Sequence, residues 1–206
     1  MAPPSRRHSS CCWSAKIEGL TGLPWIDAAL GEGAAVGFRD TTLKLEGGLI
    51  RGGLGLVNIR LDAGAVVGHK AAHIAELHDI SLAASLAPEA DGWVLDLDRV
   101  ALAGKTGAWP TTRGRVRLAR PANAPAHLEA EAAYLRLADL APWLDLLPRE
   151  PFGADVVRLR GVSGVVRGLV LRWDGAGGEP AGTGPVRYSL RADLEDLGLD
   201  SSAELP

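Results

Sequence analysis

The sequence predicts a mainly β protein of the α+β kind, an antiparallel sheet with one or two short helices packed on it. Three observations carry this reading. Apolar residues recur at every second position over most of the 206 residues, Gly and Pro interrupt the alternation at short intervals, and the period changes to that of a helix near residue 140. Successive side chains on a strand point to opposite sides, so alternation gives each strand one apolar and one wet face.

The totals narrow the function classes. The net charge is −3 with the signs interspersed, and no basic run extends beyond Arg6-Arg7. Phosphate binding needs a clustered basic footprint, so nucleic acid is not an expected partner. Apolar runs are a few residues long, far short of the roughly 20 that a membrane-spanning helix needs. The leader MAPPSRRHSSCCWSAK lacks the apolar stretch of a secretion signal, and residues 1–16 are expected to be disordered. Cys11 and Cys12 are adjacent within it, so they cannot staple distant elements and are read as incidental thiols.

Residues 17–37 are glycine-punctuated, with a single helical turn expected from Pro24 to Asp27. Thr42 to Glu46 then alternates, and Gly47-Gly48 is expected to end that strand. Val57, Ile59 and Leu61 share a face, as do Ile80, Leu82, Ala84 and Leu86. Pro88 to Gly92 reads as a turn, since Pro presets φ and Asp-Gly tolerates a left-handed backbone. Beyond it Trp93, Leu95 and Leu97 face one way, and the apolar phase then moves to Val100 and Leu102. That shift of one residue predicts a β-bulge near Arg99. Further strands are expected around 114–118, 128–134, 165–173 and 186–194, about eight in all, making a sheet roughly 40 Å across. Ser201 to Pro206 supplies no closing element, so an unpaired edge is expected.

Between the strands at 128–134 and 165–173, Leu140, Trp143, Leu144 and Leu147 fall at i, i+3, i+4 and i+7, the stripe of an amphipathic helix. Asp139 is expected as its N-cap, Pro142 in its first turn and Pro148 as its stop. A second short helix is expected over residues 153–160. Trp143 reads as core.

Three runs carry a family resemblance: Tyr134 to Pro142 (YLRLADLAP), 161–172 leading into GLVLRWDG, and Tyr188 to Gly198 (YSLRADLEDLG). With GWVLDLDRVAL and TGAWP before them, they resemble the central region of the YhdP-type AsmA-like proteins, which have TamB-like relatives. The similarity covers about residues 70–200, and residues 17–206 are expected to be part of that β-sheet region within a longer protein. The resemblance implies a strongly curved, elongated sheet whose concave face is apolar. It also implies a periplasmic location on the Gram-negative cell envelope with an inner-membrane anchor, and phospholipid transport between inner and outer membranes that sustains the outer-membrane permeability barrier. A related role as a periplasmic scaffold for outer-membrane protein assembly is the alternative. The family contributes no catalytic residue and no cofactor, and the chain is expected not to be an enzyme. The partners it implies are phospholipid acyl chains and the remainder of the same sheet or other envelope proteins.

On that basis the groove candidates are Trp93, Leu95, Leu97, Leu169, Leu171, Trp173, Tyr188, Leu190 and Leu194, with Trp109 also expected to meet acyl chains. Shielding alone is a large effect. At about 0.8 kcal/mol per methylene, a 16-carbon chain would cost on the order of 12 kcal/mol to carry bare through water.

Sharper chemistries find less support. His69 and His73 would share a helix face, but His69, His73 and His78 lack the order of a zinc motif, and no metal is expected. Asp96 and Asp98 could be a carboxylate pair, yet they alternate with Trp93, Leu95 and Leu97 and read as the wet face of a strand. Ser163 lacks the G-x-S-x-G elbow. Gly47-Gly48 and Gly52-Gly53 precede no helix with a Lys and are turn glycines.

Overall fold

The computed structural model describes residues 11–22, 33–50, 53–121, 125–144, 146, 162–175 and 187–199. They form eleven strands: β1 (Cys11–Glu18), β2 (Ala34–Arg39), β3 (Thr42–Ile50), β4 (Gly53–Lys70), β5 (His73–Glu89), β6 (Gly92–Gly104), β7 (Gly107–Ala108), β8 (Thr112–Ala119), β9 (His127–Arg136), β10 (Val162–Asp174) and β11 (Arg187–Leu199). One helix, α1 (Leu137–Leu144), follows β9 without a loop. All strands belong to one open antiparallel sheet in the order β1-β3-β4-β5-β6-β8-β9-β10-β11, with β2 beside the far part of β4 and β7 beside that of β6.

The sheet is curved, and the residues that bend it are identifiable. β2 and β3 lie end to end along β4, with Arg39 opposite Ala65 and Thr42 opposite Asp62. At their junction Asp40 has φ of 51°, and across β4 Asp79 in β5 has φ of 49°. Gly64 lies between them and donates its N–H to the Asp40 carbonyl at 3.4 Å. A Cβ on Gly64 would stand 3.1 Å from Asp40 Oδ2, so glycine lets the Asp40 side chain lie across the strand. Left-handed conformations suit Asp and Gly better than other residues, which is why this fold line uses them.

A second bend matches the phase shift seen in the sequence. β5 pairs Ala83 with Arg99 but Ala84 with Leu97, and β8 also passes from Leu97 to Val100 with a shift, so both neighbours of β6 register one extra residue at Asp98. Gly168 (φ 56°) and Asp196 (φ 52°) mark two further shifts between β10 and β11. An extra residue bends its strand and raises the local twist.

The helix closes one end of the apolar face. Leu146, just past α1, is 1% exposed, and a Cβ on Gly68 would fall 2.2 Å from its Cδ1 and 3.0 Å from Trp143 Cζ3. Small residues make the approach possible: Gly68 faces Ala75, which is fully buried, across the β4–β5 pair, and Val36 stands on the other side. Lys70 Nζ donates to the Leu146 carbonyl at 3.1 Å, placing a cation where the helix leaves its carbonyls unsatisfied. Trp143 is half-buried in this seat, its ring against Gly68 and its indole N–H buried without a hydrogen-bond partner among the described residues.

Several expectations are corrected. Residues 11–16 are not a disordered leader, because Cys11–Glu18 pairs along its whole length with Thr42 to Leu49. Gly47-Gly48 does not end β3; the Trp13 ring occupies the space a Gly47 side chain would need, with Cζ2 only 2.8 Å from an added Cβ. Asp139 is not the N-cap of α1, which begins two residues earlier. The expectations at Pro24 to Asp27, Leu147, Pro148 and residues 153–160 lie outside the described residues.

Candidate functional site: a continuous apolar face

Cross-strand register turns the alternation of single strands into rows that run across the sheet. One row passes from Trp13 through Gly47, Val57, Leu86, Leu95, Val116, Ala130 and Leu171 to Leu190. Directly opposed side chains on an antiparallel sheet share a face, so this row is apolar from one edge strand to the other. A parallel row joins Ala15, Leu45, Ile59, Ala84, Leu97, Gly114, Ala132 and Leu169. A third links Trp93, Leu118, Leu128, Trp173 and Tyr188. At 4.7–4.9 Å per strand the longest row spans about 38 Å.

Eight of the nine groove candidates stand in these rows. Leu95, Leu97, Leu169, Leu171 and Trp173 are half-buried, whereas Trp93, Tyr188 and Leu190 are exposed. Leu194 lies past the bulge at Gly168, opposite buried Val166, and is 57% exposed. The helix α1 packs on β5, β9 and β10, and its Trp143 and Asp139 also reach Gly68 of β4 and Gly104 of β6.

The opposite face is polar and internally paired. Arg115 meets Asp96 at 3.3 Å, Arg117 meets Glu89 at 2.7 Å, Arg172 meets Glu129 at 2.8 Å and His127 Nδ1 lies 2.6 Å from Asp174 Oδ1. The Arg172 hydrogen bond holds the Glu129 carboxyl below its ordinary range, against the opposing effect of burial. A shallow depression lined by Glu89, Arg115, Arg117, Glu129 and Glu131 lies within this ladder. Across β8 and β9 Arg115 stands opposite Glu131 and Arg117 opposite Glu129, and Glu89 of β5 adds a second carboxylate beside Arg117. Asp96 thus takes its place on the wet face with an Arg partner.

Trp109 departs from expectation. It is 7% exposed, its indole N–H donates to Asp139 Oδ2 at 2.8 Å, and its ring meets Tyr134 edge-on with centroids 5.5 Å apart. It belongs to a buried polar cluster rather than to the groove. Asp139 has no exposed side-chain surface, accepts the Lys105 backbone N–H at 2.9 Å and pairs with Arg136 at 3.4 Å. Arg136 also donates to Thr106 Oγ1 and the Gly107 carbonyl, tying α1 to the β6–β7 turn. A buried carboxylate needs such a set of donors.

His69 and His73 share no helix face, since they lie on β4 and β5 either side of the Ala71-Ala72 turn. Ser163 is exposed and donates to the Gly198 carbonyl at 3.4 Å. Among the described residues, no group of three or more His, Cys, Asp and Glu is placed to hold a metal ion, and no helix is long and apolar enough to cross a membrane. Comparison of the chain with protein-family models, with curated proteins and with solved structures finds no match.

Proposed function

We propose that the chain is a non-enzymatic shield for phospholipid acyl chains, passing them along the apolar face between two membranes of a cell envelope. The observation that carries this reading is the row from Trp13 to Leu190, which crosses the sheet without a charged or polar member. The family resemblance in YLRLADLAP, GLVLRWDG and YSLRADLEDLG supports the same reading and supplies the envelope setting.

Shielding depends on the continuity of the wall. A chain of methylenes crossing water loses about 0.8 kcal/mol per group, so any break in the wall re-imposes part of the barrier. A row of Leu, Val, Ala and Trp avoids that and needs no contact with a head group. Asp substituted into the row should block passage by returning a desolvated charge to the path.

The test is photocrosslinking to phospholipid in membranes, followed by mass spectrometry of the adducts. Lipid adducts are expected on the wild-type chain, and replacing Leu95, Leu169 and Leu190 together by Asp should abolish them while circular dichroism stays that of a β protein. Unchanged crosslinking in the triple variant sinks the proposal. Absence of lipid together with capture of outer-membrane barrel proteins would favour the assembly-scaffold alternative.

A further inference from the structure

β11 pairs with β10 on one side and ends the strand order of the sheet among the described residues. Its other side presents a row of backbone donors and acceptors, the usual template for strand addition. Natural edges are blunted by charged residues, Pro and β-bulges; between Arg187 and Leu199 there is no Lys or Pro, and Arg191 and Asp193 are of opposite sign, so they select a matching strand rather than repel every one. β1, at the opposite end, is shorter and carries exposed Lys16. On β11, Tyr188 is 79% exposed and Leu190 65%. An open edge lined with large apolar side chains is an association surface.

Symmetry and charge identify the occupant. A half-turn about an axis normal to the sheet lays β11 of one copy antiparallel to β11 of another and keeps both apolar faces on the same side. Face is preserved only if each residue opposes one an even number of positions away, so the pairing must centre on a single residue. Centring on Arg191 or on Asp193 sets like charges face to face, which destabilises a strand pair. Centring on Leu190 pairs Arg187 with Asp193 but leaves Arg191 against Ser189, whereas centring on Ala192 sets Arg191 of each copy against Asp193 of the other, and Leu190 against Leu194. The Arg-carboxylate alternation that already crosses the polar face at Glu129 and Arg172 then continues over the junction. The left-handed turn at Asp196 ends the straight run just after Glu195.

We propose that the chain forms a twofold dimer through antiparallel pairing of β11 with β11, in register about Ala192, joining two apolar faces into one. This stands whether or not the face carries lipid. Sedimentation velocity and light scattering on the full chain should give a dimer mass. Arg191→Asp and Asp193→Arg should each raise the dimer dissociation constant about tenfold or more, and the swap carrying both should restore it. These positions are exposed, and unchanged circular dichroism verifies that the variants fold.

Register is tested by oxidation with Cys11 and Cys12 replaced by Ser. Ala192→Cys should give a covalent dimer, since opposed residues bring their Cα atoms to about 4.5–5.5 Å. Leu190→Cys should not, because its two copies would stand about 13 Å apart along the strands. A monomer mass for the wild-type chain, a dimer indifferent to Arg191→Asp, or failure of Ala192→Cys to crosslink would each overturn the proposal.

Discussion

Asp139 shows how one residue can hold two elements together. Its carboxylate receives the Lys105 N–H, the Trp109 indole N–H and the Arg136 guanidinium, so it joins the start of α1 to the turn after β6. Close packing surrounds it, for a Cβ on Gly104 would lie 2.0 Å from its carboxyl carbon. Removing one partner of a buried charged set strands the others, so Asp139→Leu should lower unfolding free energy by about 3 kcal/mol in urea titration. A loss below about 0.5 kcal/mol, the size of an ordinary surface change, would show the cluster to be incidental. The sequence disguised this residue. An Asp just before an apolar helical stripe is the usual sign of an N-cap, and two of the three donors that claim it instead, Lys105 and Trp109, come from 34 and 30 positions upstream, a distance that no local pattern encodes.

At the scale of elements, the polar ladder and the seat of α1 behave differently under perturbation. Glu129 is held below its ordinary value of 4.5 by Arg172, so its folded value lies under its unfolded one. Its contribution is therefore full above about pH 4.5 and is lost as pH falls through the folded value. Urea midpoints should decline below pH 4.5, and Arg172→Gln should flatten part of that decline; identical pH profiles would refute the assignment. The helix seat is steric. Gly68→Val would drive methyl groups into Leu146 and Trp143 and should destabilise by about 2 kcal/mol in thermal or urea unfolding, and a neutral effect would show that α1 can shift.

Strand identities and the bulge at Asp98 were legible in the sequence because period two and its phase shift are local. The seat at Gly68 was not. A glycine in a strand signals a close approach without saying what approaches, and Leu146 lies nearly 80 positions away. β1 was hidden for a similar reason: its alternation is short and polar, and it becomes a strand only because β3 offers an edge to pair with.

For the whole molecule, an open sheet makes stability depend on position. Each strand touches only its neighbours, so opening proceeds from the edges, as in repeat proteins whose units contact one another in sequence. β4 and β5 are the longest strands at 18 and 17 residues and pair without a shift over their shared length, and α1 with Leu146 covers their far ends. β11 has a single neighbour and its pairing is broken twice by register shifts. Native-state hydrogen exchange should therefore be slowest in the paired amides of β5 and fast in both edge strands, β1 and β11, measured on the Arg191→Asp variant so that self-association does not contribute. Protection should fall stepwise from β9 to β10 to β11. Uniform protection across all strands would mean that the sheet opens only as a unit, and the nearest-neighbour account of its stability would be wrong. With the wild-type chain, protection confined to β11 should rise with protein concentration, because pairing at Ala192 would cover amides that the isolated sheet leaves open to water.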